Sequence, residues 1–231
     1  MSIDVQPYVF LRVVTGSRAF GLSTPESDEA RRGIYLPPAA WHWSLTKPPE
    51  QVESIVKGVD TIDWEVEKYL RQALKGNPTI LETLWSPLVL FATELGEELV
   101  SLRKCFLSRR LIATYSGYSL NQFHMMERKA HAGEPFRAKH AMHLIRLLHS
   151  GLYATRTGEI LVDVGEHREE LLAIRRGERT WDEVAARRAE LDAEFRAAFD
   201  DSVLPETPDT ARVNEFLVKA RASAVQIPMT W

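Results

Sequence analysis

Cysteine is almost lacking, since Cys105 is the only one among the 231 residues. A single thiol cannot form an intramolecular disulfide, and it excludes a cysteine-rich metal site. Long apolar runs are also lacking. The longest, residues 88–92, is far shorter than the roughly 20 residues that span a bilayer. The first residues show no signal pattern of a charged stretch followed by an apolar one. We therefore expect a cytoplasmic protein that does not associate with membranes.

An excess of basic residues is lacking as well. The formal net charge is -3 and the isoelectric point is about 6.2, so no global positive field indicates a plain nucleic-acid-binding module. A local basic patch remains compatible with these values. Hydrophobic residues make up 45% of the chain and charged residues 26%, as is typical of globular proteins. The length allows one large domain or two small ones.

The order of apolar patterns predicts an α/β (α+β) protein. Residues 9–14 form a β-rich apolar run, residues 28–36 resemble a second strand, and residues 53–63 a third. After about residue 86 the spacing of apolar positions becomes mainly helical. We predict a small mixed β-sheet domain over residues 1–86, followed by a helical domain over residues 87–231 that closes one side of a cleft.

The first two predicted strands are joined by the most informative segment. It reads Gly-Ser-Arg-Ala-Phe-Gly over residues 16–21 and Ser-Asp-Glu-Ala-Arg-Arg-Gly over residues 27–33. A glycine at a strand end lets the backbone approach a phosphate, and a following hydroxyl and helix start can bind phosphate oxygens. Carboxylates two apart on a strand point to the same face and suit Mg²⁺, which prefers oxygen ligands.

These motifs resemble those of the DNA polymerase beta superfamily. Within it they are similar to predicted nucleotidyltransferases of the RNA-ligase-associated type, which read roughly Gly-Ser-Arg-Ala-aromatic-Gly, then Ser-Asp-x-Asp-x-Arg-Gly. The resemblance implies an enzyme that binds ATP or another NTP with Mg²⁺ or Mn²⁺. It would transfer a nucleotidyl group to an acceptor, for which RNA is one candidate. Base preference and oligomeric state are not indicated.

The resemblance also assigns site residues. Gly16, Ser17, Arg18 and Arg32 are expected to bind the nucleotide, and Asp28 to hold metal as a catalytic carboxylate. Family members usually carry another carboxylate on a later strand, before an aromatic residue and a helix that ends in Asn-Pro. Asp60 is the first choice for this role because Asp60 and Ile62 share a strand face. Asp63 and Glu65 remain alternatives, and Asp63 is included among the expected metal ligands.

One departure from the family pattern concerns the metal site itself. Ala30 stands where the second aspartate is expected, and alanine offers no metal ligand. Three hypotheses follow. The protein is a weakened enzyme that uses Asp28 with Asp60 or Asp63, or an inactive nucleotide-binding regulatory protein, or an enzyme that recruits Glu29. Strand alternation points Glu29 to the other face, so the third hypothesis needs a local bulge.

The helical half adds a candidate basic stripe. Lys139, His143 and Arg146 lie at i, i+4 and i+7 on a predicted helix, which places three potential cations on one face. A similar stretch occurs in the resembling family, so we expect this face to meet the phosphates. The alternative is a solvated basic surface. Other arginines alternate with acids and predict a solvated, ion-paired surface: Arg109, Arg110, Arg168, Arg175, Arg176, Arg187, Arg188 and Arg196.

Overall fold

A computed structural model describes residues 4–131 and 137–228 of the chain. Its sheet has five strands in the order β3-β4-β2-β1-β5. The strands are β1 (Val9–Thr15), β2 (Glu29–Tyr35), β3 (Gln51–Val56), β4 (Val59–Glu65) and β5 (Val89–Ala92). β1 pairs antiparallel with β2 and β5, β4 pairs antiparallel with β3, and β2 and β4 run parallel. The expected mixed sheet is confirmed.

Helices surround this sheet and dominate the second half. They are α1 (Gly16–Ala19), α2 (Ala39–Trp43), α3 (Val66–Leu74), α4 (Pro78–Trp85), α5 (Glu94–Ser101), α6 (Arg110–His131), α7 (Ala138–Thr157), α8 (Arg168–Arg175), α9 (Trp181–Ala197) and α10 (Thr210–Ser223). The long α7 packs against α6, α8 and α9. Within the described ranges, no helix is long and apolar enough to cross a membrane.

The two faces of the sheet have different neighbours. Paired residues in a sheet share a face, and β2 and β4 are in register with Ala30 beside Asp60 and Ile34 beside Trp64. Ile34 and Trp64 join the large apolar core that packs against the helices. The alternate residues point away from this core, and Tyr35 joins a smaller cluster on the other side of the sheet. Alternation along β2 and β4 therefore places every second side chain on the face of the large core and the others on the opposite face.

Two expected boundaries differ from the structure. Residues 53–63 do not form one strand, because β3 and β4 make a hairpin that turns at Lys57 and Gly58 with φ of 52° and 78°. A tight hairpin of this kind needs positive φ in its turn, which Gly58 adopts easily. β5 lies beyond the predicted domain boundary at residue 86, yet it pairs with β1. The division into two domains stays a prediction, since one large apolar core contains residues of both halves.

Candidate active site

The turn after β1 has the geometry that the sequence predicts. Gly16 adopts φ +69°, a conformation that side chains disfavour, and α1 begins at this residue. A Cβ built on Gly16 would lie 3.5 Å from the Cβ of Ala30. The turn therefore touches β2 at the position where the family pattern has its second aspartate.

A cleft of 680 Å³ opens beside this turn, within the usual size range of small-molecule sites. It lies between the turn, the junction of α3 and α4, and one side of α7. Its lining residues are Thr15, Gly16, Phe20, Ala30, Arg32, Gln72, Lys75, Asn77, Pro78, Thr79, Glu82, Thr114, His140, His143, Leu144, Arg146 and Leu147. The predicted phosphate turn and the predicted basic helix thus face the same cavity.

Two of the expected metal carboxylates are close in chain or in register to the lining residue Ala30, although neither of them lines the cleft itself. Asp28 is exposed and immediately precedes β2. Asp60 pairs in register with Ala30, and its carboxylate accepts a hydrogen bond from Arg32 Nη2 at 2.8 Å. The Asp60 side chain remains 39% exposed, while Arg32 is 12% exposed. Asp60 therefore keeps carboxylate surface free for a ligand, next to Arg32, whose guanidinium group belongs to a cleft-lining residue.

Asp63 lies on the opposite face of the sheet, so it cannot join Asp60 in one metal site. Its carboxylate accepts hydrogen bonds from Arg12 Nη2 at 2.6 Å and Gln6 Nε2 at 2.8 Å, and its side chain is 2% exposed. Strand alternation decides this placement, because residues three apart on a strand point to opposite faces. The expectation that Asp63 is a metal ligand is corrected on this ground.

Glu65, the other alternative, is also turned away from Asp60. Its side chain caps α3 by accepting a hydrogen bond from the Lys68 amide at 3.1 Å. Burial raises the pKa of the Glu65 carboxyl. A buried helix cap does not need a metal to explain it. Of the three carboxylates considered for the later strand, Asp60 alone lies on the cleft face.

Glu29 and Arg18 are also placed away from the cleft. The two carboxylate oxygens of Glu29 pair with Arg31 Nε at 2.6 Å and with Arg18 Nη1 at 3.3 Å. This pairing lies on the face opposite Ala30 and uses no bulge at Glu29. Arg18 does not line the cleft, and its expected role in nucleotide binding stays a prediction. Ser17 is half-buried and follows the lining residue Gly16 directly.

The basic stripe on α7 reaches the cleft with two of its three members. His143 and Arg146 line the cavity, whereas Lys139 is exposed and lies outside the lining. Arg146 is nearly buried, pairs with Glu82 at 2.7 Å, and stacks 3.7 Å from the centre of the Phe20 ring. The Phe20 ring contact fixes the guanidinium plane next to the phosphate turn.

His143 is electrically different from its expected role as a cation. Burial, with the nearby charges of Arg146 and Lys139, lowers the pKa of His143 to about 4. The imidazole is therefore neutral at pH 7 and offers one donor and one acceptor. A bound polyanion would favour its charged form, because an opposite charge nearby raises the pKa of a histidine.

Comparisons with known proteins agree with this geometry. A family model described as the RNA repair pathway DNA polymerase beta family (RlaP) matches residues 4–219. The chain belongs to this family. It thereby shares the fold of DNA polymerase beta-like nucleotidyltransferases, and the resemblance inferred from the motifs is confirmed.

Two curated relatives, both described as uncharacterized proteins, are also similar to this family member. YcgL of Bacillus subtilis is 37% identical over 93 residues, which cover 39% of this chain and 36% of the relative. MJ0002 of Methanocaldococcus jannaschii is 20% identical over 174 residues, which cover 73% of this chain and 68% of the relative. The matched part thus spans little more than a third of YcgL and about two thirds of MJ0002.

Several cleft residues of this family member were not predicted from its sequence. Gln72, Lys75, Thr114 and Glu82 all line the cavity. Among the residues that the structure describes, Lys75 has no carboxylate within ion-pair distance. The one available sequence signal was the acidic Glu82 within the mainly apolar residues 80–85, because a buried acid needs a partner. The other three are ordinary helix-surface residue types.

A second cluster of ligand-type residues lies among the helices. His149, His167 and Glu170 place ligand atoms within 4.8 Å of one another. Both Glu170 oxygens are already bonded, one to His149 Nε2 at 3.0 Å and one to Arg187 Nε at 2.6 Å. The two imidazole rings stack at 3.8 Å, which does not direct their nitrogens at a common point. Ion pairing and ring stacking explain this cluster without a metal.

Proposed function

We propose that the protein is an NTP-dependent nucleotidyltransferase with a reduced metal site. One observation carries this proposal: the Gly16 turn, Ala30 and Arg32 of β2, and His143 and Arg146 of α7 line one cavity. An acceptor hydroxyl would attack the α-phosphate of the NTP, and pyrophosphate would leave. Such a reaction depends mainly on positioning and on neutralising negative charge.

The triphosphate is assigned to the basic side of the cleft. The Gly16 backbone allows close approach of phosphate oxygens. Arg32 and Arg146 are each held by a carboxylate, whereas Lys75 has no carboxylate partner within the described part of the chain and is assigned to the phosphates. His143 is neutral in the free protein and can donate one hydrogen bond. The nucleoside would then occupy the remaining space beside the junction of α3 and α4.

The donor set fits one magnesium or manganese ion better than two. Asp28 and Asp60 supply carboxylate oxygens, which these ions prefer, and Asp60 is exposed enough to accept one. Ala30 lies beside Asp60 and adds no ligand. When bound, such an ion polarises phosphoryl oxygens and orients the attacking group. Asp28 and Asp60 would hold it, and Arg32 would fix the Asp60 carboxylate.

The acceptor is proposed to be a hydroxyl group on RNA. The family description places its members in an RNA repair pathway, and this part of the proposal rests on that description. The net charge of -3 means that RNA would have to be recognised through local cations rather than through an overall positive field.

Pyrophosphate release from each of the four NTPs, with Mg²⁺ or Mn²⁺ and total cellular RNA, tests this proposal. We expect slow release by the unmodified chain, loss in Asp28→Ala, and at least a tenfold gain in Ala30→Asp, which restores a carboxylate beside Asp60. Glu29→Ala is the matched control, because Glu29 is the next carboxylate along the chain and points to the other face. It should keep the unmodified rate.

Two outcomes would contradict the proposal. Release that persists unchanged in Asp28→Ala would exclude the assigned metal site. A silent unmodified chain that binds NTP and becomes active as Ala30→Asp would identify a nucleotide-binding protein that has lost its chemistry. Loss of release in Glu29→Ala would instead indicate that Glu29 is recruited in place of the missing aspartate.

A further inference from the structure

The loop between the phosphate turn and Asp28 is held by the helical half of the protein. Three consecutive backbone carbonyls accept hydrogen bonds from residues 164–175: that of Phe20 from the Val164 amide at 3.2 Å, that of Gly21 from Arg168 Nε at 2.9 Å, and that of Leu22 from Arg175 Nη1 at 2.5 Å. A row of donors to adjacent carbonyls fixes the backbone itself, whatever the side chains of the loop are.

Arg175 is the most specialised member of this row. Its second amino group, Nη2, lies 3.4 Å from Thr24 Oγ1, so the guanidinium bridges two residues of the loop. Among the described residues, no carboxylate lies within ion-pair distance of Arg175. Its neighbour Arg176 pairs with Glu178 and is half exposed. The expectation of a solvated, ion-paired surface is therefore correct for Arg176 and wrong for Arg175.

The other end of the loop is also anchored. Leu22 is fully buried, and its amide donates to the Ser17 carbonyl at 2.8 Å. Gly21 adopts φ +71°, and a Cβ there would lie 3.1 Å from Asp163 Oδ1. The loop thus passes close beneath the segment that carries Arg168 and Arg175. Besides the contact of the Phe20 ring with Arg146 in the cleft, the loop is therefore held by contacts that lie outside the cleft.

We propose that Arg175, assisted by Arg168, is a positioning residue that fixes the loop over residues 20–24 and thereby places Asp28 relative to Gly16. The inference rests on the proposed function, since it assigns Asp28 to the metal. Its importance follows from Ala30: with one strand carboxylate absent, the site depends more on where Asp28 is held. A guanidinium bound to neutral oxygens gives charge-assisted hydrogen bonds and keeps its full positive charge near the triphosphate site.

Amide hydrogen exchange in the nucleotide-free protein tests the structural half of the inference. Arg175→Ala should speed exchange in residues 20–28 about tenfold, because it removes two hydrogen bonds, while exchange in the β2 and β4 strands stays unchanged. Arg176→Ala is the matched control, since it deletes the same side chain one residue later without touching the loop. Unchanged exchange in residues 20–28, or equally faster exchange throughout the chain, would overturn the inference.

Manganese binding tests the functional half without requiring turnover. The affinity for Mn²⁺ in the presence of the non-cleavable analogue α,β-methylene ATP should fall about tenfold in Arg175→Ala and remain unchanged in Arg176→Ala. Arg175→Lys should recover part of the loss, because one ammonium group can reach one of the two oxygens. Equal Mn²⁺ affinity in Arg175→Ala and the unmodified chain would overturn the positioning role.

The two proposals fail in different ways. Intact Mn²⁺ binding by an unmodified chain that releases no pyrophosphate would contradict the transferase proposal and leave the positioning role of Arg175 supported by its own variants. Pyrophosphate release that requires Asp28 but is unchanged in Arg175→Ala would support the transferase proposal and contradict the positioning role of Arg175. An unmodified chain that binds no Mn²⁺ with the analogue would overturn both.

Discussion

The two faces of the sheet carry the same pair of residue types in different surroundings. On the cleft face, Arg32 bonds to Asp60, and on the opposite face Arg12 bonds to Asp63. The arginines are equally enclosed, at 12% and 13% exposed, whereas Asp60 is 39% exposed and Asp63 only 2%. The Arg12–Asp63 pair is enclosed by the fold, whereas the Arg32–Asp60 pair leaves the Asp60 carboxylate partly exposed.

The difference shows that an ion pair is not by itself evidence of function. Asp63 has two donors and no open side, and a Cβ on Gly33 would lie 2.0 Å from its Oδ1. Gly33 is therefore needed to admit the Asp63 carboxylate. Asp60 has a single side-chain donor and a register partner, Ala30, that leaves space beside it. A partly exposed carboxylate with one donor, such as that of Asp60, is better suited to hold a metal than an enclosed one.

The largest expected difference between the two ion pairs is in the free energy of unfolding that is lost when the aspartate is replaced. Asp63→Ala leaves the enclosed Arg12 without its charge partner, and breaking a buried pair in this way costs about 3–5 kcal/mol. Asp60→Ala should cost about 1 kcal/mol or less, since its carboxylate is partly exposed. Urea unfolding of both variants measures the difference. Equal losses would contradict the distinction between an enclosed pair and an open one.

Turnover should separate the pairs in the opposite sense. Asp60→Asn removes a carboxylate charge from the proposed metal site, and we expect pyrophosphate release to fall about 1000-fold, or about 4 kcal/mol in the barrier. The melting temperature should change by no more than about 2 °C. Pyrophosphate release at the unmodified rate in Asp60→Asn would show that Asp60 is not part of the metal site. A large drop in melting temperature would show that Asp60 has a structural role, as Asp63 does.

The third and smallest expected effect concerns pH on the cleft side. In the folded protein, burial and nearby cations lower the pKa of His143 to about 4, from an ordinary value of 6.5, so the unfolded chain binds the proton more readily between these two pH values. The free energy of unfolding should therefore fall as the pH drops from about 6.5 to about 4, by about 2 kcal/mol from this group. His143→Gln should have a flatter profile over that range. Parallel profiles would show that His143 is not desolvated beside Arg146.

Much of the candidate site could be predicted from local sequence. The Gly16 turn, the strand that follows Asp28 and the choice of Asp60 over Asp63 all depend on short-range rules, namely a glycine at positive φ and the alternation of side chains along a strand. Residues such as Lys75 and Thr114 could not be predicted, because they line the cleft only when the end of α3 meets α6 and α6 packs against α7. The hairpin at Gly58 was missed because a single glycine inside a stretch with strand-like alternation does not by itself distinguish a turn from a continuous strand.

The sequence by itself determined the family, the mixed α+β fold class, and the presence of Ala30 where the family pattern has an aspartate. These properties depend on neighbouring residues and on apolar patterns that repeat every two residues in strands and every 3.6 residues in helices. The tertiary structure decided which charges are free, since pairing joins residues far apart in the chain. It buried Arg146 against Glu82, neutralised His143, and turned Arg175 from the surface toward the loop carbonyls. The sequence gives the number of charged residues, but the tertiary packing decides which partner each charged side chain contacts and how far it is buried.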